Sequence, residues 1–198
     1  MSFIIPIPGT DGLALRLLEP HHAESVWPLI DAHREHIAEW LPWPYATNSL
    51  QECRAALESL HRDFGERRGM ALSIVLGEQI IGGTGWTDWR QGMDYGGSWQ
   101  RGSADIGYWL LPDHVGRGYV TRCVIALTEL GFTDYGLFRL TIRAEPGNAR
   151  SRAVPLRFGY VEEGVMRRVS KFRDRWVDHH LFAAYSDIWR KPQEAGDG

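Results

Sequence analysis

A strand pattern, a glycine-containing turn and a helix pattern follow one another directly near the middle of the chain, and this succession most constrains the fold. The stretch SADIGYWLL predicts a strand, and RGYVTRCVIALTELGF has apolar residues at helical spacing. Gly116 and Gly118 lie between them. The first N–H groups of a helix have no partner inside the helix, and glycine lets an anion approach them. The turn is therefore a candidate anion site, although a tight turn without a ligand has the same pattern.

Apolar periodicity on both sides of this unit predicts a mixed α/β protein. A strand is predicted over Leu13–Glu19, and helical spacing follows it. Ser49 and Glu52 have the spacing of a capping box at the start of another helix. Two strands then surround a turn at Gly77–Glu78, and the region after the central helix reads as strand, helix, strand and strand.

Two stretches lack such periodicity. Residues 87–102 are rich in glycine and tryptophan and are predicted to form a long loop between strands. The polar end of the chain, residues 191–198, is expected to be a disordered tail. We therefore expect one domain over residues 1–190.

Composition narrows the class of protein. The formal net charge of −3 argues against non-specific binding to nucleic acid. No apolar run has the length of a membrane span, and nothing resembles a signal peptide. The two cysteines, Cys53 and Cys123, lie in helical patterns and are expected to be free thiols in a reducing cytoplasm.

Several separated motifs resemble the GNAT superfamily of acyl-CoA-dependent N-acyltransferases, and within it the ribosomal-protein N-terminal acetyltransferase (RimJ/RimL-like) branch. These motifs are IGYWLLPDHVGRGYVT, NARSRAVPLRFGYVEEGVMR, REHIAEWLPW and RWVDHHLFA. The resemblance implies the GNAT fold: a mixed, mostly antiparallel sheet with one splayed pair of parallel strands and flanking helices. It also implies transfer of an acyl group, expected to be acetyl, from coenzyme A to a primary amine by direct attack without a metal.

The resemblance further implies which residues hold acetyl-CoA. An amide near Leu110 or Leu111 would polarise the thioester carbonyl. Asn148 would contact the pantetheine arm, and Ser151 would lie near the sulfur as a proton donor. From its spacing alone, Asn148 is equally a helix N-cap. The pyrophosphate would be bound by the backbone amides of Val115, Gly116, Arg117, Gly118, Tyr119 and Val120.

The sequence leaves the general base open. Asp105 matches the position of a glutamate base in other GNAT branches, but an ion pair with an arginine would also explain a carboxylate there. Ser170 stands where the resemblance places a second candidate glutamate. A water chain is an alternative to any side chain. Further candidates are Glu39, His33, His36, Asp178 and His179.

The acceptor side is predicted from aromatic residues. Trp40, Trp43 and Trp86, together with Glu39, are expected to bind the amine, since aromatic faces attract cations. The glycines of the predicted loop at 87–102 suit a mobile lid. The acceptor is either a protein N-terminus or a small-molecule amine, and a non-catalytic acyl-CoA-binding module is the alternative function. A homodimer is expected by analogy with relatives.

Overall fold

A computed structural model of the chain describes residues 3–93 and 99–192. Within these residues, one eight-stranded sheet carries five α-helices. The strands β1–β8 span Ile4–Pro6, Leu13–Leu17, Met70–Leu76, Gln79–Met93, Trp99–Leu110, Arg139–Ala144, Val161–Phe172 and Arg175–Tyr185. The helices α1–α5 span Ala23–Ala32, Arg34–Ile37, Leu50–Gly65, Tyr119–Thr133 and Ala149–Leu156. No helix in the described ranges is long and apolar enough to cross a membrane.

The sheet order is β1-β2-β3-β4-β5-β6-β8-β7, and β5–β6 is its one parallel pair among the described strands. That pairing runs only from Ser103–Arg139 to Asp105–Thr141. Strand β5 then continues to Leu110 and β6 to Ala144, with no further pairing between them in the described chain. The predicted mixed sheet with a splayed parallel pair is confirmed.

The helix ends follow from local sequence. The Glu52 N–H donates to Ser49 Oγ at 3.1 Å, so the predicted N-cap of α3 is confirmed. The predicted long first helix is divided in two, because His33 leaves helical geometry (φ −118°, ψ 20°) between α1 and α2. The N–H of Ser151 donates to Asn148 Oδ1 at 3.0 Å, so Asn148 caps α5.

Glycines in β4 allow close contacts that position the centre of the sheet. A Cβ at Gly85 would lie 1.9 Å from the Met70 carbonyl oxygen, and one at Gly83 would lie 2.5 Å from Trp109 Nε1. The Trp109 indole therefore packs directly against β4 at Gly83, and its ring centroid is 6.0 Å from that of Trp43. Small residues here permit strand and ring packing that any side chain would block.

The predicted loop over residues 87–102 is wrong. Strand β4 continues to Met93 and pairs with β5 from Trp99 onwards, with irregular register between Thr87 and Gly92. A long bulged hairpin can contain glycine and still pair through its backbone, so composition misled the prediction. Residues 94–98, which include two of the three predicted lid glycines (Gly96 and Gly97), lie outside the described residues, as do 193–198 of the predicted tail. Strand β1, Ile4–Pro6, was not predicted.

Candidate active site

A cavity of about 710 Å³ connects the glycine turn, the gap between β5 and β6, the start of α5, the segment around α2 and the hairpin β7–β8. Its volume falls within the range of ligand and cofactor pockets. The predicted cofactor residues that line it are Leu110, Val115, Gly116, Gly118, Tyr119, Val120, Asn148 and Ser151. Leu111 and Arg117 do not line it.

The glycine turn presents backbone donors to this cavity, although the Val115 N–H already donates to the Pro112 carbonyl at 3.2 Å, so the prediction that this amide binds the pyrophosphate is wrong. Gly116 (φ +85°) and Gly118 (φ +76°) both have left-handed backbone conformations that favour glycine, and an added Cβ at either would meet no atom within 4 Å. Gly118 is the N-cap of α4, and no side chain caps this helix. The N–H groups of Tyr119, Val120 and Thr121 therefore face open space at the positive end of the helix dipole. This geometry fits a pyrophosphate.

The gap between β5 and β6 offers one of the two predicted oxyanion amides. The Leu111 N–H donates to the Ile81 carbonyl at 2.8 Å, so Leu111 cannot polarise a thioester and that part of the prediction is wrong. Antiparallel pairing alternates, so the N–H of Leu110 points away from β4 and into the gap. The Leu110 carbonyl lies 3.1 Å from His36 Nε2. Leu110 thus retains an amide that a carbonyl oxygen can reach.

A tyrosine that sequence analysis missed holds Ser151 across the gap. The Tyr108 hydroxyl donates to the Ser151 carbonyl at 3.0 Å, and its oxygen lies 3.0 Å from Ser151 Oγ. Burial raises the pKa of Tyr108 to about 12, so its hydroxyl stays protonated at neutral pH. Residues two apart in a strand point to the same face, so Tyr108 lies on the same face of β5 as Leu110. This spacing is the sequence signal that could have placed Tyr108 in the site.

Asp105, the predicted base, lines the cavity but has strong partners. Its carboxylate lies 2.5 Å from the Arg143 guanidinium, and Thr141 Oγ1 donates to it. The ion-pair interpretation that the sequence left open therefore describes Asp105 in this structure.

The predicted acceptor residues divide into two groups. Glu39 and Trp40 line the cavity, and Trp40 packs against Gly147, where an added Cβ would lie 3.3 Å from its ring. Trp43 does not line the cavity and contacts Trp109 instead. Trp86 is 1% exposed and packs edge-on against Trp89 and other core rings. The prediction that Trp86 binds substrate is wrong, because its side chain points into the core.

The hairpin β7–β8 brings two of the residues considered for the general base, Ser170 and His179, to the cavity. Ser170 and His179 both line the cavity, and Ser170 Oγ lies 3.3 Å from His179 Nε2. Glu145, which is 7% exposed, also lines it and pairs with Arg175 at 3.0 Å. Ser170 lies opposite Val177 on β8, a placement that depends on strand register and not on local sequence.

A possible metal-binding group lies elsewhere. In the described part of the chain, Glu19, His21 and His22 bring their ligand atoms within 4.8 Å of one another. His22 Nδ1 already accepts the N–H of Glu19 at 3.0 Å, and none of the three lines the cavity. Burial lowers the pKa of His22, with smaller contributions from His21 and Arg16.

Comparison with known protein families matches residues 13–161 to the acetyltransferase (GNAT) domain. Among curated proteins, the chain is 28% identical over 156 residues to YdaF of Bacillus subtilis (strain 168), provisionally named a ribosomal N-acetyltransferase. The match covers 78% of this chain and 81% of that protein.

Two solved structures share the fold. The first, RimL, a ribosomal L7/L12 alpha-N-protein acetyltransferase in complex with coenzyme A, superposes with a TM-score of 0.81 and 21% identity, covering 92% of this chain and 98% of RimL. The second is the microcin C7 self-immunity acetyltransferase MccE in complex with acetyl-CoA and AMP. It gives a TM-score of 0.77 and 23% identity, covering 89% of this chain and 93% of MccE. At these identities the likeness shows the fold.

Proposed function

Because this chain belongs to the acetyltransferase (GNAT) family, it is an N-acetyltransferase that uses acetyl-CoA, and we propose that it acts on the α-amino group of a protein or peptide. The observation that carries this proposal is the continuity of the cavity. One space joins an uncapped helix N-terminus, a free strand amide and a polar acceptor side. The first element can bind the coenzyme A pyrophosphate, the second can polarise the thioester carbonyl and the third can position the amine.

We assign the donor end as follows. The N–H groups of Tyr119, Val120 and Thr121 bind the pyrophosphate. The Leu110 N–H donates to the thioester carbonyl oxygen as negative charge develops on it. The Ser151 hydroxyl, held by Tyr108, hydrogen-bonds the departing sulfur. Asn148 fixes Ser151 by capping its helix.

The choice of a protein α-amine draws support from the relatives. YdaF and RimL are both named for ribosomal substrates, and the superposition on RimL extends over 98% of its length. A small-molecule amine is the second candidate, favoured by MccE, whose structure holds a nucleotide beside acetyl-CoA.

The test follows thiol release from acetyl-CoA with a panel of peptides that have free N-termini and a panel of small amines. We expect peptide-dependent release, and we expect Ser151→Ala to lower kcat about tenfold with acetyl-CoA affinity retained. Asp105→Asn should weaken folding more than catalysis, because its partners are structural. The matched control is Ser59→Ala, since Ser59 lies on α3 away from the residues that line the cavity, and its hydroxyl accepts a hydrogen bond from Arg62 at 3.3 Å.

Each contrary outcome has a defined meaning. Turnover with small amines and with no peptide moves the second candidate ahead. Tight binding of acetyl-CoA with no turnover for any acceptor supports the non-catalytic binding module. Equal losses in Ser151→Ala and Ser59→Ala remove Ser151 from the reaction.

We also infer a cytoplasmic location. Cys53 and Cys123 are free and buried, as expected in a reducing compartment. Burial raises the pKa of Cys123 to about 12, so this thiol stays protonated and unreactive. A homodimer and the absence of nucleic-acid binding remain predictions, for which sedimentation velocity with and without added RNA is the direct measurement.

A further inference from the structure

We propose that His179 takes the proton from the acceptor ammonium group, and that Ser170 relays this proton from the cavity to His179 Nε2. This inference rests on the proposed function. The two residues lie on neighbouring strands, β7 and β8, and both line the cavity on its acceptor side. Ser170 Oγ is 3.3 Å from Nε2, so a hydroxyl in this position can accept one proton while it donates another.

The carboxylates near His179 are each held by an arginine. Asp105 pairs with Arg143 at 2.5 Å and Glu145 with Arg175 at 3.0 Å. The third, Asp178, pairs with Arg167 at 2.7 Å. Each of these carboxylates is therefore already engaged in an ion pair. Two other histidines, His36 and His114, line the cavity, and His36 contacts the Leu110 carbonyl through its Nε2.

The surroundings of His179 keep its ring neutral and ready to accept a proton. Burial, and then the charge of Arg143, lower its pKa from the ordinary 6.5, while Glu145 and Asp178 act in the opposite direction. Its Nδ1 is buried and has no hydrogen-bond partner among the described residues. For Nε2 to accept a proton, the neutral ring carries its own proton on Nδ1, so this N–H has no partner among the described residues before or after the transfer. Burial disfavours the charged ring, so His179 returns its proton to water after each turnover.

The reaction balances in two proton transfers. The bound ammonium group gives one proton to Ser170 Oγ while the Ser170 hydroxyl proton moves to His179 Nε2, which leaves a neutral amine. The amine nitrogen then attacks the thioester carbonyl carbon, the new C–N bond forms and the C–S bond breaks. The second proton of the amine ends on the departing sulfur. His179 finally loses its proton to water.

The chain offers a matched control on the same strand. His180 is the neighbour of His179, but successive residues of a strand point to opposite faces. It contacts Glu162 through Nδ1 and does not line the cavity. The variants His179→Gln and His180→Gln each remove one imidazole from β8, the first on the face toward the cavity and the second on the opposite face. Comparing their activities therefore separates the loss of the proposed base from a general effect on the strand.

The experiment measures kcat/KM against pH with a peptide whose α-amine has a pKa of about 8. For the wild type we expect kcat/KM to increase with pH below pH 6.5 and to reach a plateau at neutral pH. The reason is that the reacting complex contains the neutral His179 ring and the protonated amine. His179→Gln should lose about 100-fold in kcat/KM at pH 7. Its profile should then rise tenfold per pH unit up to the pKa of the amine. Ser170→Ala should lose about tenfold, since water can occupy part of the relay.

Two further readouts separate the possible failures. Acetyl-CoA affinity should be unchanged in all three variants, and the His179 ring should titrate below 6.5 in an NMR pH series. If His179→Gln keeps the wild-type profile within about threefold, or His180→Gln loses as much, His179 is not the proton acceptor, although the proposed function stands. A wild type that turns over no amine overturns both conclusions.

Discussion

The two ends of the cavity are built from different parts of the chain. The donor end consists mainly of backbone groups, namely the amides at the start of α4 and the Leu110 N–H in the gap between β5 and β6, together with the Ser151 hydroxyl. The acceptor end consists of side chains brought together from β6, β7, β8 and the segment around α2. A site built from backbone amides tolerates changes of side chain, whereas a site built from side chains can change its substrate through single substitutions. Acceptor choice should therefore vary among relatives more than acetyl-CoA binding does.

The largest expected effect is at the donor end. Gly118→Val places a β-branched residue at φ +76°, which costs about 1–2 kcal/mol, and its side chain extends into the space assigned to the pyrophosphate. We expect acetyl-CoA affinity to fall more than about tenfold, with little change in the KM of the acceptor. Calorimetric titration with acetyl-CoA measures this.

A glycine far from the cavity controls for backbone strain. Gly136 has φ +63°, and an added Cβ there also meets no atom within 4 Å. Gly136→Val should lower stability by a similar amount and leave acetyl-CoA affinity intact. If Gly118→Val and Gly136→Val lose acetyl-CoA affinity equally, the glycine turn has only a structural role. The donor end would then not bind acetyl-CoA through the backbone amides of that turn.

An intermediate effect is expected at the acceptor end. Arg175→Ala leaves the buried Glu145 carboxylate without its cation, which should reduce the free energy of unfolding by about 1 kcal/mol, since Arg175 itself is 61% exposed. The KM of the acceptor should change because Glu145 lines the cavity, while acetyl-CoA affinity should not. Urea unfolding and steady-state kinetics measure the two effects.

The matched substitution on the same hairpin is Arg167→Ala. Its partner Asp178 is only half-buried, and Arg167 is largely exposed. We expect little change in either stability or KM. A loss of acetyl-CoA affinity in Arg175→Ala would show that the two ends are coupled and not separate.

The smallest effect concerns pH. Burial lowers the folded-state pKa of both His179 and His22 below the 6.5 of an unfolded chain. The unfolded state then binds more protons between these values, so their contribution to stability is complete above pH 6.5 and is lost as pH falls below it. Urea unfolding at pH 7.5, 6.5 and 5.5 should show this decline, and His179→Gln should reduce it. An equal decline in that variant would mean that His179 is not buried as described.

The donor end could be predicted from sequence because its chemistry is local. Gly116 and Gly118 lie within one turn of the helix they precede, and Asn148 lies three residues from Ser151. Both features can be read from spacing and from the rules for helix ends. The resemblance to a known family then implied that this local geometry binds coenzyme A.

The errors arose where tertiary structure decides. Trp86 and Trp109 both lie in glycine-containing strands, yet one ring lies in the core and the other lines the cavity. Composition could not separate them, and the glycines and tryptophans of residues 87–102 suggested a loop where β4 continues to Met93. The contact between Tyr108 and Ser151 joins residues 43 positions apart, so no local pattern indicates it. The contact between Ser170 and His179 depends on a register shift inside the β7–β8 hairpin.

The contact between Gly83 and Trp109 also constrains how this sequence can evolve. Any side chain at position 83 would enter the space of the Trp109 indole, whose ring in turn lies beside Trp43. Substitutions at position 83 should therefore survive only together with a smaller residue at position 109, and each single change alone should be lost from a random library. Positions 83 and 109 form an epistatic pair, and a smaller ring at 109 would also leave Trp43 free to vary.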